Sequence, residues 1–172
     1  MLFSLALLAQ LSLPSLAAIK NPIAFITQLP IPDEFCTINS PFCNHQADLS
    51  SSGRGGDLWI RYPDGTLKNL TTAAGFGQAD LQGARTIQVR DPAVHWGGKK
   101  IIFSMARGAP KRYQQSRYFW QLYEITGLAK NQKPVITKVA RQPENYNNIS
   151  PAYGTDGRII FVSDQPRGGQ VQ

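Results

Sequence analysis

The stretch NISPAYGTDGRIIFVSD, residues 148–164, decides how this chain is read. It is a loop, a short strand, a tight turn and a second strand. Asp156-Gly157 is the expected chemistry for such a turn, because glycine takes a positive φ without steric cost. The same phrase occurs once before. In DPAVHWGGKKIIFS (91–104), Pro92-Ala93 matches Pro151-Ala152, Gly98 matches Gly157, and Ile101-Ile102-Phe103 matches Ile159-Ile160-Phe161, with a one-residue offset. A second pair interleaves with the first. DLWIRYPDGTLKNLT (57–71) resembles WQLYEITGLAKNQKPVITKV (120–139), each an aromatic-rich strand, a glycine turn and another strand.

Working outward, the apolar residues come in short bursts separated by turn signals. Strands are expected at 23–28, 57–62, 66–70, 99–104, 118–125, 135–139 and 158–163, where Val, Ile, Phe, Tyr and Trp suit a pleated, half-buried surface. Residues 72–84 read as a helical turn or a loop. Fifteen Gly and twelve Pro among 172 residues favour many turns over long helices. The fold class expected is all-β.

The interleaved order has a physical meaning. A four-stranded antiparallel blade consists of two hairpins and buries its faces only against neighbouring blades. One unit can be bracketed at 91–139, close to the ~40–50 residues of such repeats. An earlier unit spans 23–71 with an insertion, and a third opens at Ser150. The expectation is an incomplete β-propeller: about two blades plus the start of a third, within residues 18–172. Since propellers need about four blades or more to close, the chain is expected to be a fragment or a truncated reading frame.

SPAYGTDGRIIFVSD resembles the TolB-type, WD-like propeller repeat, and DPAVHWGGKKIIFS fits it with Gly97 in place of the turn Asp. RGGDLWIRYPDGTLKNLT, RDPAVHWGGKKIIFSM, YFWQLYEITG and QPENYNNISPAYGTDGRIIF are similar to the propeller-like middle domain of hydrazine synthase alpha-subunit-like proteins, over most of residues 22–168. That resemblance implies an exported protein associated with c-type haem chemistry. Covalent haem attachment requires Cys-x-x-Cys-His, so that two thioethers and an axial imidazole meet one haem. The only cysteines, Cys36 and Cys43 in CTINSPFCNH, do not have that spacing. No haem or other cofactor is therefore expected for this chain.

MLFSLALLAQLSLPSLA (1–17) is an apolar run ending in a small-residue site, which is a secretory signal pattern, although no Lys or Arg precedes it. A buried N-terminal helix is the competing reading. No later segment is apolar and long enough to span a bilayer. The expected location is periplasmic or secreted. There, Cys36 and Cys43 are a candidate disulfide; a metal site with His45 and either Asp48 or His95, or two free thiols, are the alternatives.

The net charge of +7 is dispersed, with no basic helix, zinc-finger spacing or single-strand-binding motif. Nucleic acid is thus not the expected partner; protein partners or the remainder of the propeller are. His95, Trp96, Lys111, Arg112 and Arg117 form a possible binding surface, since long loops between rigid strands are common binding sites. Against this, His95 reads more simply as a hydrogen-bonded turn residue, and 105–117 as a solvated insertion. Asp57, Asp64, Asp156 and Asp164 read as turn and strand-locking residues. No catalytic residues or metal ligands are assigned, because nucleophile-elbow, phosphate-loop and paired-carboxylate patterns are missing. The function expected is an exported binding or scaffold module without catalysis of its own. The alternatives are the N-terminal part of a c-type haem oxidoreductase subunit and the propeller gate of an exported peptidase.

Overall fold

The computed structural model describes residues 19–27, 55–77, 87–108 and 118–169. They form three antiparallel sheets. The first contains β1 (Ile23–Ile26), β2 (Leu58–Arg61) and β3 (Leu67–Asn69), in that order. The second is a four-stranded meander of β4 (Ile87–Val94), β5 (Lys100–Arg107), β6 (Gln121–Thr126) and β7 (Val135–Lys138). The third pairs β8 (Asn148–Tyr153) with β9 (Ile159–Ser163). A helical turn, α1 (Leu70–Ala73), follows β3, capped by Asn69 Oδ1, which accepts from the Thr72 amide at 2.9 Å. Thus the helical turn begins two residues ahead of the 72–84 region and overlaps its start, and it shortens the strand expected at 66–70. No described helix is long and apolar enough to cross a membrane.

The seven expected strands all occur, with ends shifted by a few residues. β5 runs three residues further than expected, to Arg107. Ile101 to Ala106 are buried without alternation because the second sheet is covered on both faces. Alternation is a mark of one wet face, and this strand has none. β4 is the strand that composition hides, since Gln88, Arg90 and Pro92 interrupt its apolar pattern. A β-bulge accommodates the proline: the register with β5 shifts between Arg90 and Ala93, and Asp91 takes φ 51°. Pro92, which has no amide to donate, stands where the ladder is already broken.

The third sheet repeats this device. β8 and β9 shift register between Ile149 and Ala152, Ser150 takes φ 52°, and Pro151 follows. The turns repeat as well. Tyr62 N bonds Thr66 O at 2.8 Å and Gly154 N bonds Arg158 O at 2.8 Å. In each turn the aspartate side chain (Asp64, Asp156) accepts an amide two residues on, at 3.1 Å. The turn glycines Gly65 and Gly157 have φ 85° and 81°.

Packing follows from the two faces of the middle sheet. Ile87, Val89, Ile101, Phe103, Met105, Tyr123 and Ile125 face the first sheet, where Leu58, Ile60, Tyr62 and Leu70 complete the main core. Ile102, Ser104, Ala106 and Leu122 lie on the opposite face and are fully buried, with β8 packed across β4 and β5. The aromatic pair Phe103–Tyr123, with centroids 6.3 Å apart, has a counterpart in the first sheet, Phe25–Trp59 at 6.5 Å. β1 and β2 therefore correspond to β5 and β6. At the far side of the third sheet, Ile160 and Val162 are 63% and 58% exposed, although their counterparts Ile102 and Ser104 are fully buried.

Candidate functional site

The seam between the second and third sheets gathers the polar groups. At its centre Asp91 Oδ2 accepts from the Ser150 amide (3.0 Å), the Ser150 hydroxyl (3.1 Å) and Arg90 Nε (2.9 Å). The two bulges, one per sheet, are thus joined to each other. Arg90 lies under the seam with its guanidinium 5.6 Å from the Trp120 ring centroid. A bulge turns a side chain out of the regular ladder, which is how the Asp91 carboxylate reaches the neighbouring sheet.

At the end of the same seam a second cluster forms around Glu124. Its Oε1 accepts from Lys100 Nζ and from the Tyr153 hydroxyl, both at 2.7 Å. The Lys100 ammonium lies 4.9 Å from the Tyr153 ring centroid, and His95 meets that ring edge-on at 4.9 Å. Sheet geometry makes the cluster. Lys100 leads into β5, Glu124 sits one strand over on β6, and Tyr153 ends β8 facing them.

Burial alone would raise the Glu124 carboxyl. The hydrogen bonds from Lys100 and Tyr153 and the charges of Lys100 and His95 outweigh it, so Glu124 titrates below its ordinary value. Burial and the neighbouring carboxylate push the Tyr153 phenol up. The signs follow from linkage. A lowered carboxyl contributes stability that is complete above about pH 4.3 and is lost as pH falls through its folded value. A raised phenol contributes stability below about pH 10 that is lost as pH rises further. Glu124→Gln should therefore flatten the acid limb of a stability–pH curve, and Tyr153→Phe the alkaline limb. Urea midpoints at pH 3, 7 and 10.5 measure both; limbs unchanged in the variants would exclude the cluster as their source.

Of the residues expected to form a binding surface, the structure places two. His95 heads the β4–β5 turn: its amide bonds Lys100 O at 2.9 Å, and its Nδ1 accepts from the Gly97 amide at 3.1 Å. The imidazole does there what Asp64 and Asp156 do in the other turns, where this turn has Gly97 instead. Trp96, beside it, is 74% exposed. Lys111, Arg112 and Arg117 lie outside the described residues, as do Cys36, Cys43, His45, Asp48 and residues 1–17. The four aspartates all accept hydrogen bonds, two within their own turns and two from residues 14 and 17 positions away. Asp64 and Asp156 cap turns, Asp57 Oδ1 accepts from the Thr71 hydroxyl at 2.5 Å, and Asp164 accepts from the Asn147 amide at 2.7 Å. Among the described residues no three metal-ligating side chains cluster.

Lys100, Glu124 and Tyr153 were not singled out in the sequence. One signal was available: in the matched phrases Tyr153 aligns with Val94, an aromatic ring against a small aliphatic group.

The first seam looks different at the equivalent end. Tyr62 on the first sheet donates its hydroxyl to Leu128 O at 2.6 Å, and Lys68 Nζ reaches Ala129 O at 2.8 Å. Lys130 pairs with Asp64, whose carboxyl is held down at about 2 by that contact and by Thr66. Between these ties lies an apolar cleft of about 580 Å³. Comparison with known protein families, curated proteins and solved structures finds no match for this chain.

Proposed function

We propose that the three sheets are successive blades of a TolB-like β-propeller, akin to the middle domain of hydrazine synthase alpha-subunit-like proteins. In this reading the protein is exported by residues 1–17 and acts as a binding or scaffold module without catalysis of its own. The observation that carries the proposal is the repeated bulge. Asp91-Pro92 and Ser150-Pro151 stand at the same place in consecutive sheets, with φ 51° and 52°, and bond each other across the seam. Propellers stack identical units radially, each covering its neighbour's face. β5 and β6 of the middle sheet, buried on both faces, have the environment of an interior blade.

The reading expects the outer faces of the first and third sheets to be covered in the working protein. The chain from Ala18 should accordingly self-associate at micromolar concentration, and Ile160→Asp with Val162→Asp should suppress that association. Light scattering after size-exclusion chromatography measures it. A stable monomer with one cooperative melt, indifferent to these substitutions, counts against the propeller. Export is tested separately, by fusing residues 1–30 to a reporter active only outside the cytoplasm. Activity that Leu7→Arg abolishes supports export, and an inactive wild-type fusion excludes it.

A further inference from the structure

The two seams are built from corresponding positions, and comparing them defines a site. Aligning Phe25–Trp59 with Phe103–Tyr123 places Pro22 at the position of Lys100 and Ile60 at that of Glu124. The matched phrases place Val94 at the position of Tyr153. The strand registers agree, since Ala24 pairs with Ile60 as Ile102 pairs with Glu124, and Val94 pairs with Ile101 as Tyr153 pairs with Ile159. In the second seam the three positions hold a lysine, a carboxylate and a phenol ring that close on one another. In the first seam they hold a proline, an isoleucine and a valine, and all three line the cleft.

The cleft therefore lies where the ring of Tyr153 sits in the next seam. Its remaining walls include Ala24, Ile101 and Leu128. Its volume of about 580 Å³ lies within the ~300–1,000 Å³ typical of small-molecule sites. Ile60 stands where Glu124 accepts the Tyr153 hydroxyl, so a hydroxyl at that depth would lose its partner, at the cost of desolvating it. Among the lining residues the charged side chain is Lys130, which is paired with Asp64 and lies 5.2 Å from the Tyr62 ring centroid; the nearby Lys68 ammonium is held by the carbonyls of Ala129 and Gln132. Among the described lining residues, no unpaired cation faces the cleft to hold an anion.

We propose that this cleft is a binding site for a neutral, apolar aryl ligand, with one ring taking the place that the Tyr153 ring takes in the second seam. The inference rests on the internal repeat and not on closure of a propeller.

The test uses the neutral dye N-phenyl-1-naphthylamine, whose fluorescence rises on burial, titrated into the chain from Ala18. Saturable binding of one dye per chain is expected. Val94→Phe, which supplies the ring from within, and Ala24→Leu, which fills the opposite wall, should each weaken it about tenfold or more, a change of about 1.4 kcal/mol. Tyr153→Phe should leave it unchanged. The anionic analogue 8-anilino-1-naphthalenesulfonate should bind less tightly. Near-ultraviolet circular dichroism confirms that each variant is folded, and if Val94→Phe is not, Ala24→Leu is read alone. The site is refuted if no saturable binding occurs, if a folded filling variant binds like the parent, or if Ile160→Asp removes the dye instead. Tighter binding of the anionic dye would refute the neutral ligand class.

Discussion

Trp120→Ala should destabilise the fold by about 3–5 kcal/mol, read as a lower urea midpoint at unchanged slope. Trp120 is 1% exposed and packs with Ala106, Tyr118 and Ile149 where the second and third sheets meet. Its ring carries the Arg90 guanidinium 5.6 Å from its centroid. Its backbone is engaged on both sides: the amide donates to Asn147 Oδ1 at 3.1 Å, and the carbonyl accepts from the Asn148 amide at 2.8 Å. Truncation removes the largest buried side chain of this seam and leaves a cavity that two sheets tied by hydrogen bonds cannot close over. Trp120→Phe should cost much less. It keeps a ring for Arg90 and removes an indole N–H that has no hydrogen-bond partner among the described residues, and an unpaired buried donor is itself unfavourable. A loss below about 1 kcal/mol for Trp120→Ala, the size of an ordinary substitution, would mean that the third sheet is not held by this residue.

The second large effect is expected at Asp91. Asp91→Ala should cost about 2–3 kcal/mol, for two separable reasons. One carboxylate oxygen accepts three hydrogen bonds, two from Ser150 and one from a buried arginine, and bonds to a charged acceptor are worth about 1.5–3 kcal/mol. The side chain is 31% exposed, so the higher cost of breaking a fully buried ion pair does not apply. The remainder is conformational: at φ 51° any residue with a Cβ is strained, and aspartate tolerates that region better than alanine. Asp91→Gly relieves the second term and keeps the first, so it should be milder than Asp91→Ala. Ser150→Ala removes one of the three bonds and should cost about 0.5–1.5 kcal/mol. A double-mutant cycle on Asp91 and Ser150 should give a coupling above about 0.5 kcal/mol. Additivity would show that the two bulges are held in place independently.

Much of this architecture was legible along the chain. The Asp-Gly turns at 64–65 and 156–157 mark hairpins because their chemistry is local: a glycine at positive φ and an aspartate accepting an amide two residues on. The matched phrases around Pro92 and Pro151 pointed to a repeated unit, and both fold as bulged antiparallel hairpins. β4 was hidden for an equally physical reason. A proline and an arginine inside a strand argue against it until a bulge absorbs the proline and a neighbouring sheet covers the arginine. Neither event is written in the strand's own periodicity.

The sequence by itself determined where the chain extends, where it turns and which hairpins repeat, since these depend on backbone preferences acting over a few residues. Only the tertiary structure decided what the seams contain. Lys100, Glu124 and Tyr153 lie on three strands of two sheets, and they meet because alternate residues of each strand share a face and the two faces are pressed together. The same packing sets Pro22, Ile60 and Val94 around the cleft in the other seam. Contacts of this kind carry no local signal: each residue's neighbours are supplied by a different sheet.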